Sequence, residues 1–358
     1  MYNTLSLHNF RGFSHYSLSD LTRINLLVGK NNAGKTSILE AIEILSYGGR
    51  PSSLLRSPNR RGEFSSQGSE AGLRAEHDIR YLFHQHRIQD GSSFEIKANN
   101  DSTFPAVSCV IRNPEVVQLE ISDQDEPSMT YELVVKGPEN EKGSVIKIST
   151  EGILASGFRG GPISTAQLTP SSAVFLGTEG ADFNILQKMW DDIVLTSEED
   201  RVIEALQIIE PKVERLAFTG RSSRWSSMAW IKLKNDDERV PLGSLGDGIR
   251  RLLSLAIFAA RAQGGILLID EIDTGLHYST LEMMWRFIIE MAARLDIQVF
   301  ATTHSGDCLK ALAWLNEENQ SHDDLVSVYR VDRSSEQATR YSAGEIELAE
   351  RQQIEVRG

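Results

Sequence analysis

Ile24-Asn25-Leu26-Leu27-Val28-Gly29-Lys30-Asn31-Asn32-Ala33-Gly34-Lys35-Thr36-Ser37 is the stretch on which the fold turns. Its first five residues read as a buried strand. Residues 29–36 form a glycine-rich loop, and residues 37–45 carry Ile38, Ala41, Ile42 and Leu45 at the spacing of one helix face. Strand, glycine loop and helix, in that order, make a P-loop. The first amides of a helix have no partner inside it, and the helix dipole adds positive potential there, so the loop and helix start form a cradle for phosphate. Gly29 and Gly34 permit conformations and close approach that a Cβ would obstruct. Lys35 supplies a point charge to the β- and γ-phosphates, and the Thr36 hydroxyl is placed for Mg2+. The expected phosphate-binding set is Gly29, Asn31, Asn32, Ala33, Gly34, Lys35, Thr36 and Ser37.

The chain around this loop has 358 residues, a length that suggests about two domains. Hydrophobic residues make up 40% and charged residues 24%, the balance of a soluble globular protein. No apolar run approaches the roughly 20 residues of a membrane span, and Met1-Tyr2-Asn3-Thr4 lacks the segments of a secretion signal. No membrane association is therefore expected. Cys109 and Cys308 stand far apart without metal-ligand spacing, so reduced thiols and a cytoplasmic location are expected. The net charge of −13 argues against a uniformly basic nucleic-acid binder and leaves room for a local basic face.

Upstream of the loop, residues 4–10 alternate as a half-buried strand does, followed by Arg11-Gly12-Phe13 and a strand at 16–21. Tyr47-Gly48-Gly49 ends the first helix. Residues 50–72, rich in Ser, Gly, Pro and Arg, read as a mobile loop. Its Arg50, Arg56, Arg60 and Arg61 have only Glu63 close by in opposition, so they are either a solvated surface or a contact for DNA or RNA phosphates. Residues 73–89 suggest a helix. Residues 94–97, 106–111, 116–121, 129–136 and 144–148 are short β-rich runs between turns, the pattern of an antiparallel sheet. A second Gly/Ser/Pro-rich stretch spans 151–170. Beyond a buried strand at 172–176, helices are expected at 181–195 and 198–209, the latter capped by Ser197. A strand pair at 213–218 and 228–233 follows. Later come a helix at 252–262, a strand at 266–269, a helix at 280–295, a strand at 297–302, and an edge strand at 325–331 before a charged tail.

Three further stretches carry chemistry. Ile266-Leu267-Leu268-Ile269-Asp270-Glu271 is an apolar strand ending in two acids. Beside a P-loop, Asp270 is expected to hold Mg2+ with Thr36, and Glu271 to orient and deprotonate an attacking water. His304 ends the next buried strand, in Ala301-Thr302-Thr303-His304-Ser305, where an imidazole can meet a γ-phosphate. Glu271, His304 and Lys35 are thus the expected catalytic set. Ser244-Leu245-Gly246-Asp247-Gly248 is a second glycine-rich turn before a helix. A chain that already has one cradle would use this second one on a neighbour's nucleotide. Arg11 reads equally as a phosphate contact and as a surface ion pair.

Taken together these motifs resemble the ABC-type ATPases of the SMC/RecF/OLD group, and most of all the stand-alone AAA15-type, OLD-like ATPases. The resemblance is carried by Leu7-His8-Asn9-Phe10-Arg11-Gly12-Phe13, the loop at 29–36, the signature-like Ser244-Leu245-Gly246-Asp247-Gly248-Ile249-Arg250-Arg251, the Walker B run ending Asp270-Glu271, the D-loop-like Ile272-Asp273-Thr274-Gly275-Leu276-His277, and the switch-histidine segment Thr302-Thr303-His304-Ser305. It implies an α/β P-loop NTPase of ABC-ATPase head type with a β-rich insertion and helical segments. The N-terminal lobe would span 1–49, the insertion 50–170, and the C-terminal lobe 171–358. It also implies ATP and Mg2+ as ligands, with Arg11 among the ATP contacts. Two copies would sandwich two ATP molecules head to tail, with Ser244, Gly246, Asp247 and Gly248 acting in trans.

Two departures stand out. Gly246 occupies the slot where the family signature has a serine, so a hydroxyl contact is missing unless Ser244 supplies it, and hydrolysis is expected to be slow. The Q-loop glutamine has no clear position; Gln118 and Gln167 lie in the insertion. About fifty residues follow His304, too few for the Toprim nuclease of many OLD-like proteins, since domains typically have about 100–150 residues. The expected function is a Mg2+-dependent ATPase coupled to a nucleic acid or to a second protein, a nuclease or toxin effector, in DNA repair or in defence against phage and mobile elements. The alternative is a slow-hydrolysing, ATP-locked scaffold that sequesters and releases its effector.

Overall fold

The strand that feeds the glycine loop divides its side chains between two hydrophobic cores. Ile24, Leu26 and Val28 enter one, and Leu27 enters the other. The strands beside it behave alike: Leu267, Ile269, Val299 and Ala301 face the first core, and Ile266, Leu268 and Phe300 the second. A sheet buried on both faces is what a continuous apolar run such as Ile24–Val28 calls for.

The computed structural model describes residues 1–65, 76–100, 103–113, 130–153, 173–219, 228–236, 238–318 and 325–357. In chain order, β1 (Thr4–Phe10) and β2 (Phe13–Leu18) form a hairpin, β3 (Ile24–Val28) enters the glycine loop, and α1 (Lys35–Ser46) leaves it. A 3-10 turn, Pro51–Leu55, and α2 (Arg56–Arg61) follow. Next are β4 (Phe64–Ser65), β5 (Glu76–His77), β6 (Ser93–Asn99), β7 (Ala106–Arg112), β8 (Thr130–Gly137), β9 (Asn140–Ser149) and β10 (Ala173–Leu176). The chain continues through α3 (Phe183–Asp191), α4 (Ser197–Gln207), β11 (Val213–Thr219), β12 (Met228–Leu233), β13 (Arg239–Pro241), α5 (Asp247–Arg261) and β14 (Ile266–Ile269). It closes with α6 (Leu281–Arg294), β15 (Gln298–Thr302), α7 (Gly306–Glu318), β16 (Val326–Arg330), β17 (Thr339–Ser342) and α8 (Ala343–Arg351).

The central sheet has the order β10-β14-β15-β3-β16-β17, parallel throughout except for the β16–β17 pair. Its register sets Ile269 opposite Ala301 and Thr302 opposite Leu27, so the residues that follow all three strands emerge at one level. An antiparallel sheet, β2-β1-β6-β7-β8-β9, covers one face of the molecule. The β-rich runs therefore join the N-terminal hairpin in a single sheet. Helix α1 lies between the two sheets and is buried at every position from Ser37 to Leu45, well beyond the single face that its apolar spacing suggests. Helices α5, α6 and α7 contribute to the core on the opposite face.

Several local expectations are corrected. Residues 51–61, expected as loop, are helical, because their arginines reach back to acids on α1. The helix expected at 73–89 is replaced, in its described part, by β5 and two 3-10 turns, Arg80–Leu82 and His84–His86. Ile79, Leu82 and Phe83 are buried in the N-terminal core, so their spacing serves core filling across turns rather than a helix face. The cap of α4 is Thr196, whose hydroxyl accepts from Glu198 N–H, rather than Ser197. Strand β16 is internal, between β3 and β17, and the charged tail contains α8 with a Ser342–Glu345 capping box. The run at 116–121, Gln118 and Gln167 lie outside the described residues.

Candidate functional site

Three strand ends converge. Strand β3 delivers the glycine loop, its neighbour β15 delivers Thr302 and His304, and β14 beyond it delivers Asp270 and Glu271. In a parallel sheet this carboxyl edge is where ligands bind. A cavity of about 380 Å3 lies there, lined by residues 31–37 of the loop together with Arg61, Asp270, Glu271, Thr302, His304 and Arg333.

The loop geometry explains its glycines. Gly34 has φ 99° and opens α1 without a side-chain cap. A Cβ on it would run into the Phe13 ring, which packs against the back of the loop. Gly29 has φ 146°, and its Cβ would come within 2.6 Å of the Val331 carbonyl oxygen. Asn32 also takes positive φ, at 62°. Lys35 Nζ donates to the carbonyls of Gly29 (2.7 Å) and Lys30 (3.0 Å), over the loop. Burial holds its ammonium below the usual lysine range, while Asp270 and Glu271 pull in the other direction.

The Thr36 hydroxyl lies 3.1 Å from both carboxylate oxygens of Asp270. The Thr302 hydroxyl donates to Asp270 Oδ1 at 2.7 Å and accepts from Glu271 N–H at 2.8 Å. Burial pushes the Asp270 carboxyl above its ordinary range, against the two hydroxyl donors, and Glu271 pushes the same way. A hydroxyl and a carboxylate within contact of one another form an oxygen-only donor pair. It suits a hard cation such as Mg2+, which takes one or two protein ligands and completes its shell with water and phosphate.

Glu271 adopts φ 49°, an uncommon conformation for a side chain with a Cβ, and this places its carboxylate on the cavity wall. Oε1 stands 3.6 Å from His304 Nδ1, and Oε2 accepts from Thr274 Oγ1 at 3.2 Å. Both acid and imidazole remain partly exposed.

Sequence reasoning gave no role to Arg251. Its guanidinium, 5% exposed, donates to the carbonyls of Gly177 (2.7 Å), Asp270 (2.9 Å) and Glu271 (2.7 Å). Burial lowers its pKa to about 10. It ties the first part of α5 to the backbone of both acids and to the segment after β10.

Among the described residues, Ser244, Gly246, Asp247 and Gly248 stand outside the loop's own cavity. Ser244, Gly246 and Asp247 are exposed at the start of α5, and a Cβ on Gly246 would meet nothing. Gly246 takes φ 94°. The Ser244 hydroxyl donates to the Pro241 carbonyl at 2.7 Å. Gly248 packs α5 against the D-loop-like turn, its Cβ position 3.3 Å from the Gly275 carbonyl.

Arg11, read equally as a phosphate contact and as an ion pair, stands away from the cavity. It is 6% exposed, absent from the cavity wall, and held by Glu40 (2.6 Å), Glu63 (2.9 Å) and the Ser57 hydroxyl. Glu40 is itself buried on α1, and a buried carboxylate needs a cation beside it. The other arginines of this region are likewise engaged: Arg61 with Glu40, Arg56 and Arg60 with Glu43, and Arg50 with Glu139.

The model of the AAA_15 family, described as AAA ATPase domain, matches residues 1–104 and 167–309. An ATP/GTP phosphatase of Helicobacter pylori is 22% identical over 341 residues, 87% of each chain. A short stretch of 45 residues is 51% identical to the DNA replication and repair protein RecF of Idiomarina loihiensis, covering 13% of each chain. Among solved structures, an SMC head bound to the C-terminal winged-helix domain of ScpA shares the fold, with a TM-score of 0.50 at 14% identity over 95% of this chain and 98% of that one. The chain belongs to the AAA_15 family of AAA ATPase domains.

Proposed function

We propose that the chain binds ATP with Mg2+ in the cavity at the carboxyl edge of the central sheet and hydrolyses it there. The observation that carries this reading is the meeting of loop, Thr36–Asp270 pair and Glu271–His304 pair on one wall. Loop amides and Lys35 hold the β- and γ-phosphates. Thr36 and Asp270 hold the metal, which neutralises phosphate charge when bound. Glu271 takes a proton from water as the water oxygen bonds to the γ-phosphorus. The bond from that phosphorus to the β–γ bridging oxygen breaks, and ADP leaves with the electron pair. His304 donates a hydrogen bond to the γ-phosphate, and Arg251 holds the backbone of both acids in place.

The exposed start of α5 supports a sandwich of two chains, in which the 246–248 amides of one copy meet the γ-phosphate held by the other. Gly246, together with the Pro241-bound Ser244 hydroxyl, favours slow turnover. The dimer then acts as a timed lock on a second protein, in DNA repair or in defence against phage and mobile elements. Ion pairing of the arginines on α2 and its flanks, with the net charge of −13, favours a protein effector over a nucleic acid. Among the described residues no helix is long and apolar enough to cross a membrane, and a cytoplasmic setting fits the two free thiols.

Steady-state phosphate release tests the reading. The unaltered chain turns over ATP only with Mg2+, and Lys35→Ala loses both binding and turnover. Normal turnover in Lys35→Ala would refute the assignment.

A further inference from the structure

Arg333 stands on the wall of the phosphate cavity, yet comes from the turn at 331–338 between β16 and β17, far along the chain from the loop. This turn is anchored twice. Val331 N–H donates to the Val28 carbonyl at 2.8 Å, and the Val331 carbonyl lies against Gly29. On the other side, Asp332 N–H donates to Tyr16 Oη at 3.3 Å, and two backbone bonds of 3.0 Å join Ser17 to Glu336 and Ala338. The Asp332 carboxylate accepts from Ser334 N–H (2.9 Å) and Oγ (2.7 Å), which stiffens the turn itself. The backbone of such a turn loses little freedom when a side chain it carries meets a ligand.

Charge on the wall points the same way. Lys35, Arg61 and Arg333 are its arginine and lysine cations, and Asp270 and Glu271 its carboxylates. Lys35 sits in the field of both acids, and Arg61 is paired with Glu40 at 2.7 Å. Arg333 has no hydrogen bond or ion pair to any described residue. Without it these groups cancel, and a wall of balanced charge is a poor host for a polyphosphate. The guanidinium lies beside Gly12, where a Cβ would stand 2.8 Å from Arg333 Cζ. The glycine of Arg11-Gly12-Phe13 therefore leaves room for this cation.

We infer that Arg333 is a nucleotide-binding residue, with its guanidinium on the phosphates of the bound nucleotide and Gly12 as the space that admits it. The inference rests on the reading of the cavity as an ATP site. It makes the β16–β17 turn part of that site.

Calorimetric titration of the full chain with ATP and Mg2+ tests it. Arg333→Ala weakens binding about tenfold, the loss expected for one charge-assisted contact. Arg333→Lys loses less, because the charge remains without the planar fork. Gly12→Ala displaces the end of a flexible side chain rather than backbone, and weakens binding in the same direction. Unchanged melting temperatures without nucleotide confirm that the variants fold, and the deficit narrows as salt rises. Unaltered affinity in Arg333→Ala, with binding lost in Lys35→Ala, overturns the role of Arg333 and leaves the ATP site standing. A deficit indifferent to salt overturns the phosphate contact. Failure of the unaltered chain to bind ATP overturns both.

Discussion

Asp270 is held in a state that costs the fold something. Burial raises its carboxyl pKa in the folded chain, so between the ordinary carboxylate range and that raised value the folded state binds more protons than the unfolded one. Stability therefore falls as pH rises through this window, and the full cost is present above the raised value. Asp270→Asn is expected to raise the melting temperature at pH 7 without nucleotide, with the gain shrinking on acidification toward pH 4, while Mg2+-dependent turnover is lost. A lower melting temperature at pH 7 would show that the Thr36 and Thr302 hydrogen bonds outweigh the burial. That Asp270, Glu271 and His304 stand together was legible in sequence because each follows a buried strand, and strand order brings their ends together. Arg251 was not legible. Its partners are three backbone carbonyls on two separate segments, and carbonyls leave no trace in residue identity.

At the scale of elements, α1 and α2 are joined by charge. Glu40 and Glu43, both 1% exposed, face out of the P-loop helix toward Arg11, Arg56, Arg60 and Arg61. Two of these arginines also lie over rings: Arg56 is 4.1 Å from the centre of Tyr47 and Arg60 3.8 Å from that of Phe175. Removing Glu43 leaves two partly buried guanidinium groups without their carboxylate. Glu43→Ala is expected to destabilise the fold by about 3 kcal/mol, the low end for a broken buried pair because Arg56 and Arg60 stay partly solvated. A fall in the urea midpoint measures it, and a change below about 1 kcal/mol would mean that these pairs behave as surface ion pairs. Sequence spacing could not reveal this network, since Arg60 and Glu43 stand 17 residues apart on different helices. Apolar patterning succeeded for β3 and β14, which are buried at every position, and it placed the paired strands β11 and β12. It failed in the described part of 73–89, where Ile79, Leu82 and Phe83 are buried from consecutive turns.

In the whole molecule the glycine loop and the start of α5 do not share a cavity. The loop of β3 is closed on its own side by Asp270, Glu271 and His304, while the start of α5 is exposed and outside that cavity. Arg251 links α5 to the backbone of both acids, so each half of the proposed sandwich is mechanically continuous with the other. Slow chemistry and a strong dimer are compatible, because only differential binding of ATP to the paired state is needed to shift the population. Glu271→Gln keeps the cradle and the metal pair but removes the proton acceptor, and hydrolysis falls by a factor on the order of 100 or more. The direct measurement is the mass of Glu271→Gln by light scattering with ATP and Mg2+. The expected result is twice the single-chain mass of 39.9 kDa, returning to 39.9 kDa when Lys35→Ala is added. ATP bound at one per chain with the mass unchanged at 39.9 kDa would contradict the two-chain site.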